Sequence, residues 1–229
     1  MNHTPDHPRK VLLAGATGLI GGLLLQGLLA HPAVTEVHAL VRRPMDAWHA
    51  KLHLHQVDFT ALAALPEVDE VYLALGTTIR LAGSQAAFRA VDLHANLAVA
   101  EAAVKAGARR VGLVSAAGAS SNSAVFYNRV KGELEDALKA MELDALVIAR
   151  PSLLLDSRAH LGQAPRLAEK LSIPIGRLIA PWVPGAYRPV YAQSVSTALL
   201  QRVPVATGLL VLPSDELARS GFTGIFWGG

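Results

Sequence analysis

Tyr127 and Lys131 stand four residues apart in a stretch with helical periodicity, so both side chains leave one face of a helix. A phenol titrates at about pH 10 and is a poor base at neutral pH. A neighbouring ammonium favours its ionised form, and the phenol can then exchange a proton with a carbonyl or alcohol oxygen. Ser115, twelve residues earlier at the end of an aliphatic run, offers a hydroxyl to polarise the same oxygen. The Tyr-x-x-x-Lys spacing is common by itself, and a half-buried tyrosine beside a surface lysine produces it without chemistry. Its place in the chain, after a strand that ends in Ser115-Ala116-Ala117-Gly118, is what gives it chemical meaning.

A second set of residues suits a phosphate. Gly15-Ala16-Thr17-Gly18-Leu19-Ile20-Gly21 follows an apolar strand and opens a helix. Glycines there permit a tight turn and let backbone N–H groups approach a pyrophosphate, and the helix N-terminus favours its negative charge. The spacing is G-x-x-G-x-x-G, so the dinucleotide fingerprint is met in logic and missed in letter. After the second strand, where an acidic residue would bind the ribose hydroxyls of NAD, the chain has Arg42-Arg43-Pro44, which suits a 2′-phosphate. Asp58, ending the third strand, can accept from an adenine amino group or cap a helix starting near Thr60. Leu75-Gly76-Thr77 at the end of the fourth strand faces the same crevice by the switch-point rule.

These groups need elements to hold them. Strand candidates are Val11-Ala14, Glu36-Val41, His53-Asp58, Glu70-Leu75, Arg110-Ser115, Leu146-Arg150 and Leu209-Leu212. Between them Leu19-Ala30, Thr60-Leu65, Ser84-Ala106, Val125-Met141, Arg166-Leu178 and Ala192-Arg202 read as helices. This alternation predicts right-handed crossovers and a doubly wound parallel α/β sheet of Rossmann type, order 3-2-1-4-5-6 with room for a seventh strand. Residues 1–9 read as a flexible leader and 10–229 as one domain, in which 152–229, rich in proline after Pro151, forms a small substrate-pocket cap.

The Gly15–Gly21 turn, the strand-end serine and the Tyr127–Lys131 pair, in this order, resemble the short-chain dehydrogenase/reductase superfamily. Leu75-Gly76-Thr77-Thr78, Phe88-Arg89-Ala90-Val91-Asp92, Tyr127-Asn128-Arg129-Val130-Lys131-Gly132-Glu133 and Arg150-Pro151-Ser152-Leu153-Leu154 look like its atypical, extended members related to the Tat-interacting-protein oxidoreductases. The resemblance covers residues 10 to 156 well. It implies NADP(H) bound by Gly15, Ala16, Thr17, Gly18, Leu19, Ile20 and Gly21, by Arg42 and Arg43, and by Leu75, Gly76 and Thr77. It further implies Tyr127 as proton donor or acceptor, Lys131 on the nicotinamide ribose, and Pro151 beside the nicotinamide. Relatives commonly carry two adjacent serines where this chain has Ser115-Ala116; Ser115, or Ser120, Ser121 or Ser123, then has to serve.

The remaining residues bound the function. With 229 residues, 52% apolar and 17% charged, the chain has an ample aliphatic core. The absence of cysteine excludes disulfides, thiol nucleophiles and Cys-based zinc sites. A net charge of +3 without a basic stripe gives no nucleic-acid footprint. Glycines and polar groups interrupt Val11–Ala30, so it reads as strand, turn and helix, not as a membrane span or signal peptide. His53 and His55 share a strand face, but no third residue completes a metal pattern. Asn96 reads as packing or solvation, or as a group that organises a water or a backbone carbonyl near the tyrosine, and Arg188 as a surface ion pair or a binder of an anionic substrate group. The expectation is a cytoplasmic NADPH-dependent carbonyl reductase acting on a small-molecule carbonyl, as monomer or homodimer. The rivals are a non-catalytic NADP(H) sensor with a protein partner and a sugar-nucleotide epimerase.

Overall fold

Every aliphatic run marked above is a strand in the computed structural model, which describes residues 7–155 and 188–220. The strands are β1 (Arg9–Ala14), β2 (Val34–Val41), β3 (Leu52–Gln56), β4 (Glu70–Leu73), β5 (Arg110–Val114), β6 (Ala145–Arg150) and β7 (Gly208–Pro213). They form one sheet, paired in parallel throughout, in the order β3-β2-β1-β4-β5-β6-β7. The doubly wound order is therefore as expected, and β7 extends it beyond β6. Among the described residues the helices are α1 (Leu19–Ala30), α2 (Ile79–Ala82), α3 (Gln85–Arg89), α4 (Asn96–Lys105), α5 (Phe126–Lys139), α6 (Ala192–Arg202) and α7 (Ser214–Ser220). A π-helical turn, Ala90–Ala95, joins α3 to α4.

Both faces of the sheet are covered, which is why its central strands are continuously apolar. Val11, Leu13, Val37, Ala39, Val147 and Ala149 point to one face and pack with Leu24 and Leu28 of α1 and Val195 and Leu199 of α6. Leu12, Ala14, Leu73, Leu113 and Ile148 point to the other, against Val99 and Ala103 of α4 and Val130, Leu134 and Leu138 of α5. Helices on both sides leave the C-terminal strand ends free, and the strand order reverses between β1 and β4. A ligand crevice opens at such a reversal.

Beyond shifts of one or two residues at strand ends, three elements differ from expectation. β1 begins at Arg9, which was placed in the leader; its guanidinium is buried against Glu70 at 2.7 Å, and Tyr72 also donates to Glu70. Thr60–Leu65 is not a helix. The Asp58 carboxylate accepts from both the N–H (2.9 Å) and the hydroxyl (2.7 Å) of Thr60, closing a local turn that competes with helix, and Pro66 disfavours helical backbone at Leu65. The long helix expected over Ser84–Ala106 is broken at its middle by the π turn, though Ser84 caps its start and Gly107, at φ 107°, ends it. The expected helix Arg166–Leu178 and most of the cap, including residues 221–229, lie outside the described residues.

α5 is pressed onto the loop after β5. A Cβ added at Gly132 would lie 2.1 Å from the Ser120 carbonyl carbon and 2.2 Å from the Ser121 nitrogen, and both are backbone atoms that cannot yield cheaply. Gly132→Ala is expected to lower stability by about 2–3 kcal/mol, read as a reduced urea midpoint with an unchanged slope.

Candidate active site

The turn after β1 is a backbone-to-backbone junction. Gly15 has φ 98°, and a Cβ there would come 2.4 Å from the Ala74 carbonyl oxygen at the end of β4. A Cβ on Gly21 would lie 1.9 Å from the Gly15 carbonyl oxygen. Only glycine fits either place. Gly18 starts α1 without a side-chain cap, and no acidic residue stands in the first turn. The leading N–H groups of α1 therefore have neither an intrahelical acceptor nor a cap, and this suits an anion.

Around this helix end the crevice is lined by Gly18, Leu19 and Ile20, by Ala74–Thr78, by Val114 and Ser115, by Asp92, Tyr127 and Lys131, and by Pro151, Ser152 and Leu154. The fold thus brings together the turn, the loop after β4 and the tyrosine–lysine pair, as the sequence implied. Gly15, Ala16, Thr17 and Gly21 shape the turn behind the lining. Arg42 and Arg43 are exposed beyond the C-terminal end of β2, and Asp58 is exposed beyond β3 and occupied by Thr60, which holds its carboxyl below the usual range. None of these three lines the crevice itself.

Tyr127 is half-buried, its ring 5.5 Å from that of Phe88. Lys131 is buried, with Nζ 2.7 Å from Asp92 Oδ1. The other oxygen of Asp92 accepts from the Thr77 N–H at 2.9 Å. The Asn96 amide donates to the carbonyls of Leu75, Val91 and Asp92, each at 3.2 Å, so it ties the π turn to the loop after β4. A π turn leaves helix carbonyls without their ordinary partners, and Asn96 supplies them. It therefore does more than pack.

Ser115 lines the crevice, but its hydroxyl donates to Glu135 at 2.5 Å. Glu135 is fully buried, and its carboxylate also receives Nε (3.0 Å) and Nη2 of Arg150, which raises the Arg150 pKa. A serine has one proton to give, and in this arrangement it goes to Glu135. Ser120, Ser121 and Ser123 are not among the lining residues, and Ser120 and Ser123 accept from the backbone of their own loop. Arg188 contributes its carbonyl to Ser152 and Ser214.

The sequence reading passed over Asp92 and Glu135. Glu135 was within reach, since Tyr127, Lys131 and Glu135 follow at i, i+4 and i+8 on one face. Asp92 closes the Phe88–Asp92 motif quoted above but was given no role there, because its partner Lys131 lies on another element.

A family profile described as "NAD(P)H-binding" matches residues 15–172. The chain belongs to the NAD(P)H-binding family. Curated relatives include "Protein fmp52, mitochondrial" of Aspergillus clavatus, 33% identical and covering 92% of both chains. Another is "Protein fmp52-1, mitochondrial" of Aspergillus terreus, 37% identical over 65% of this chain and 68% of that one. Among solved structures, a short-chain dehydrogenase/reductase family oxidoreductase from Burkholderia thailandensis matches with TM-score 0.67 at 20% identity, covering 93% of this chain and 94% of that one. MoeE5, solved with UDP-glucose and NAD, matches with TM-score 0.65 at 21% identity over 89% and 75%. The two solved structures share the doubly wound fold of this chain. The fungal names overturn the expectation of a cytoplasmic protein, because those relatives are mitochondrial by name. Among the described residues no helix is long and apolar enough to cross a membrane.

His53 and His55 do share a face, and His38 joins them from β2: its Nδ1 lies 2.9 Å from His55 Nε2, its ring stacks on His53, and its Nε2 faces Glu36. Among the described residues no group of side chains is placed to hold a metal. Burial, opposed by Glu36 and assisted by the other imidazoles, lowers the His38 pKa below its ordinary 6.5, and burial likewise lowers that of His55. The unfolded chain then binds more protons than the fold as pH falls through about 6.5, so stability is lost on acidification.

Two outcomes follow for this region. Thermal melting is expected to hold steady above about pH 7 and fall below about pH 6.5, with a shallower fall in His38→Leu. Ser115→Ala, which strips a buried carboxylate of a donor, is expected to cost about 1–3 kcal/mol in urea unfolding.

Proposed function

We propose that the protein is an NADPH-dependent reductase of a small carbonyl compound, with Tyr127 as its proton donor. The observation that carries this reading is that Tyr127 and Lys131 line the same crevice as the uncapped N-terminus of α1 and the loop after β4. The N–H groups at the start of α1 would hold the pyrophosphate, and the backbone of Leu75–Thr77 would lie along the ribose. The preference for NADPH rests on Arg42 and Arg43, two exposed guanidiniums beyond β2 where a carboxylate would otherwise exclude a 2′-phosphate.

When bound, the nicotinamide supplies a hydride to the carbonyl carbon. Tyr127 gives its phenolic proton to the carbonyl oxygen, so that the product is an alcohol, and it recovers a proton from solvent. The Lys131 ammonium stabilises the phenolate left behind. Pro151 and Leu154 are among the apolar residues of the lining, which limit water at the reacting centre. Ser115 holds Glu135 and has no proton left to donate to the substrate, so orientation of the carbonyl falls to Tyr127 itself.

One observation favours a second reading. The committed Ser115 hydroxyl and the apolar Ala116 beside it weaken the substrate-polarising half of the site, as a cofactor-binding protein that signals to a partner would tolerate. Tyr127→Phe distinguishes the two. It removes only the transferable proton, so reduction of a panel of aldehydes and ketones, followed as NADPH consumption, is expected to fall by a factor of about 100 or more. NADPH affinity should stay within about threefold of the parent. Undiminished turnover would remove Tyr127 from the role, and no turnover by the parent on any carbonyl would favour the sensor.

A further inference from the structure

A buried carboxylate is unfavourable unless donors and an opposite charge meet it. Asp92 is 1% exposed, in the π turn between α3 and α4, and its oxygens are divided between two elements. Oδ2 takes the backbone N–H of Thr77 in the loop after β4, and Oδ1 meets the Lys131 ammonium of α5. The second contact is a close charge pair, not an aligned hydrogen bond. Lys131 is 4% exposed, and among the described residues its ion pair is with Asp92. The other charges nearby on α5 are turned elsewhere: Glu133 pairs with Arg89 at 2.6 Å, and Glu135 with Arg150. The position of Asp92 is itself built, since the Asn96 amide donates to the Asp92 carbonyl at 3.2 Å.

We propose that Asp92 is the positioning residue of the tyrosine–lysine pair: it keeps the Lys131 ammonium charged inside the fold and ties it to the backbone of the loop after β4. This rests on reading Tyr127 and Lys131 as the proton-transferring pair. An ammonium buried without a counter-charge is driven toward the neutral amine, and a neutral amine no longer favours the ionised phenol one turn away. Lysine also has a long flexible stem, and one carboxylate anchored at Thr77 fixes where its charge sits. Through Asp92, any ligand that orders the loop after β4 also orders the lysine.

The test uses the cofactor-free full chain, so its outcome is independent of turnover. Asp92→Asn, Lys131→Met and the double variant are compared by thermal melting. Asp92→Asn should melt lowest, and the double variant should melt above it because the unpaired charge has gone. Additive losses in the double variant would overturn the proposal. If Asp92→Asn does not fold, recovery of a folded double variant supports the proposal and failure of both overturns it. In the folded variants, ionisation of Tyr127 is followed by tyrosinate absorbance as the difference from the same protein carrying Tyr127→Phe. Asp92→Asn should move that transition to higher pH, and in the same direction as Lys131→Met is expected to move it. A transition that stays in place, or moves to lower pH, means Lys131 keeps its charge without Asp92 and overturns the proposal. A protein that meets both expectations yet reduces no carbonyl counts against the reductase reading alone.

Discussion

Where β1, α1 and the end of β4 meet there is no space for a side chain. Gly15 lies against the Ala74 carbonyl and Gly21 against the Gly15 carbonyl, so three elements touch backbone to backbone. That close approach places the uncapped start of α1 directly over the point where the strand order reverses, and it fixes the distance between the helix end and the loop after β4. A larger residue at either glycine would push α1 away from the sheet and widen the crevice on which every other feature of the site is arranged.

The opposite wall is α5, and its inward face carries a short column of polar residues beside the buried Val130, Leu134 and Leu138. Tyr127 opens onto the crevice, Lys131 is buried one turn deeper and Glu135 one turn deeper again. Each buried charge is met by an opposite one from another element, Asp92 for the lysine and Arg150 for the glutamate. Removing one member of such a pair leaves an uncompensated charge, which is why these pairs hold α5 in register with the sheet more firmly than their modest net stability suggests. The same pairing decides what Ser115 does: with its proton on Glu135, it braces the end of β5 against α5.

Most of the fold was legible because a parallel sheet covered on both faces imposes long apolar runs, and Val11–Ala14, Arg110–Val114 and Ala145–Arg150 have no other good use. The glycine turn was legible from its position between such a run and a helix. Thr60–Leu65 misled because its apolar residues have helical spacing while the Asp58 side chain captures the backbone at Thr60, a competition that periodicity does not register. The π turn was invisible for a related reason: a single changed hydrogen-bond step leaves the pattern of alanines intact. Tyr127 and Lys131 announced themselves by sitting four apart on one helix. Asp92 did not, because its chemistry is defined by Lys131 and Thr77, which reach it only through the packing of α5 and the loop after β4. Ser115 was legible as a crevice residue and illegible as a donor, since the direction of its proton depends on Glu135.

The proposed function requires that this crevice bind a phosphorylated nicotinamide cofactor at the α1 turn, with the arginines after β2 on its 2′-phosphate. Fluorescence titration of the purified chain with NADPH and with NADH, repeated after changing Arg42 and Arg43 to Ala, tests it most directly. NADPH is expected to bind at least about tenfold more tightly than NADH, and the difference to collapse in the double variant. Failure of both nucleotides to bind would contradict the account, since the glycine turn would then serve packing alone.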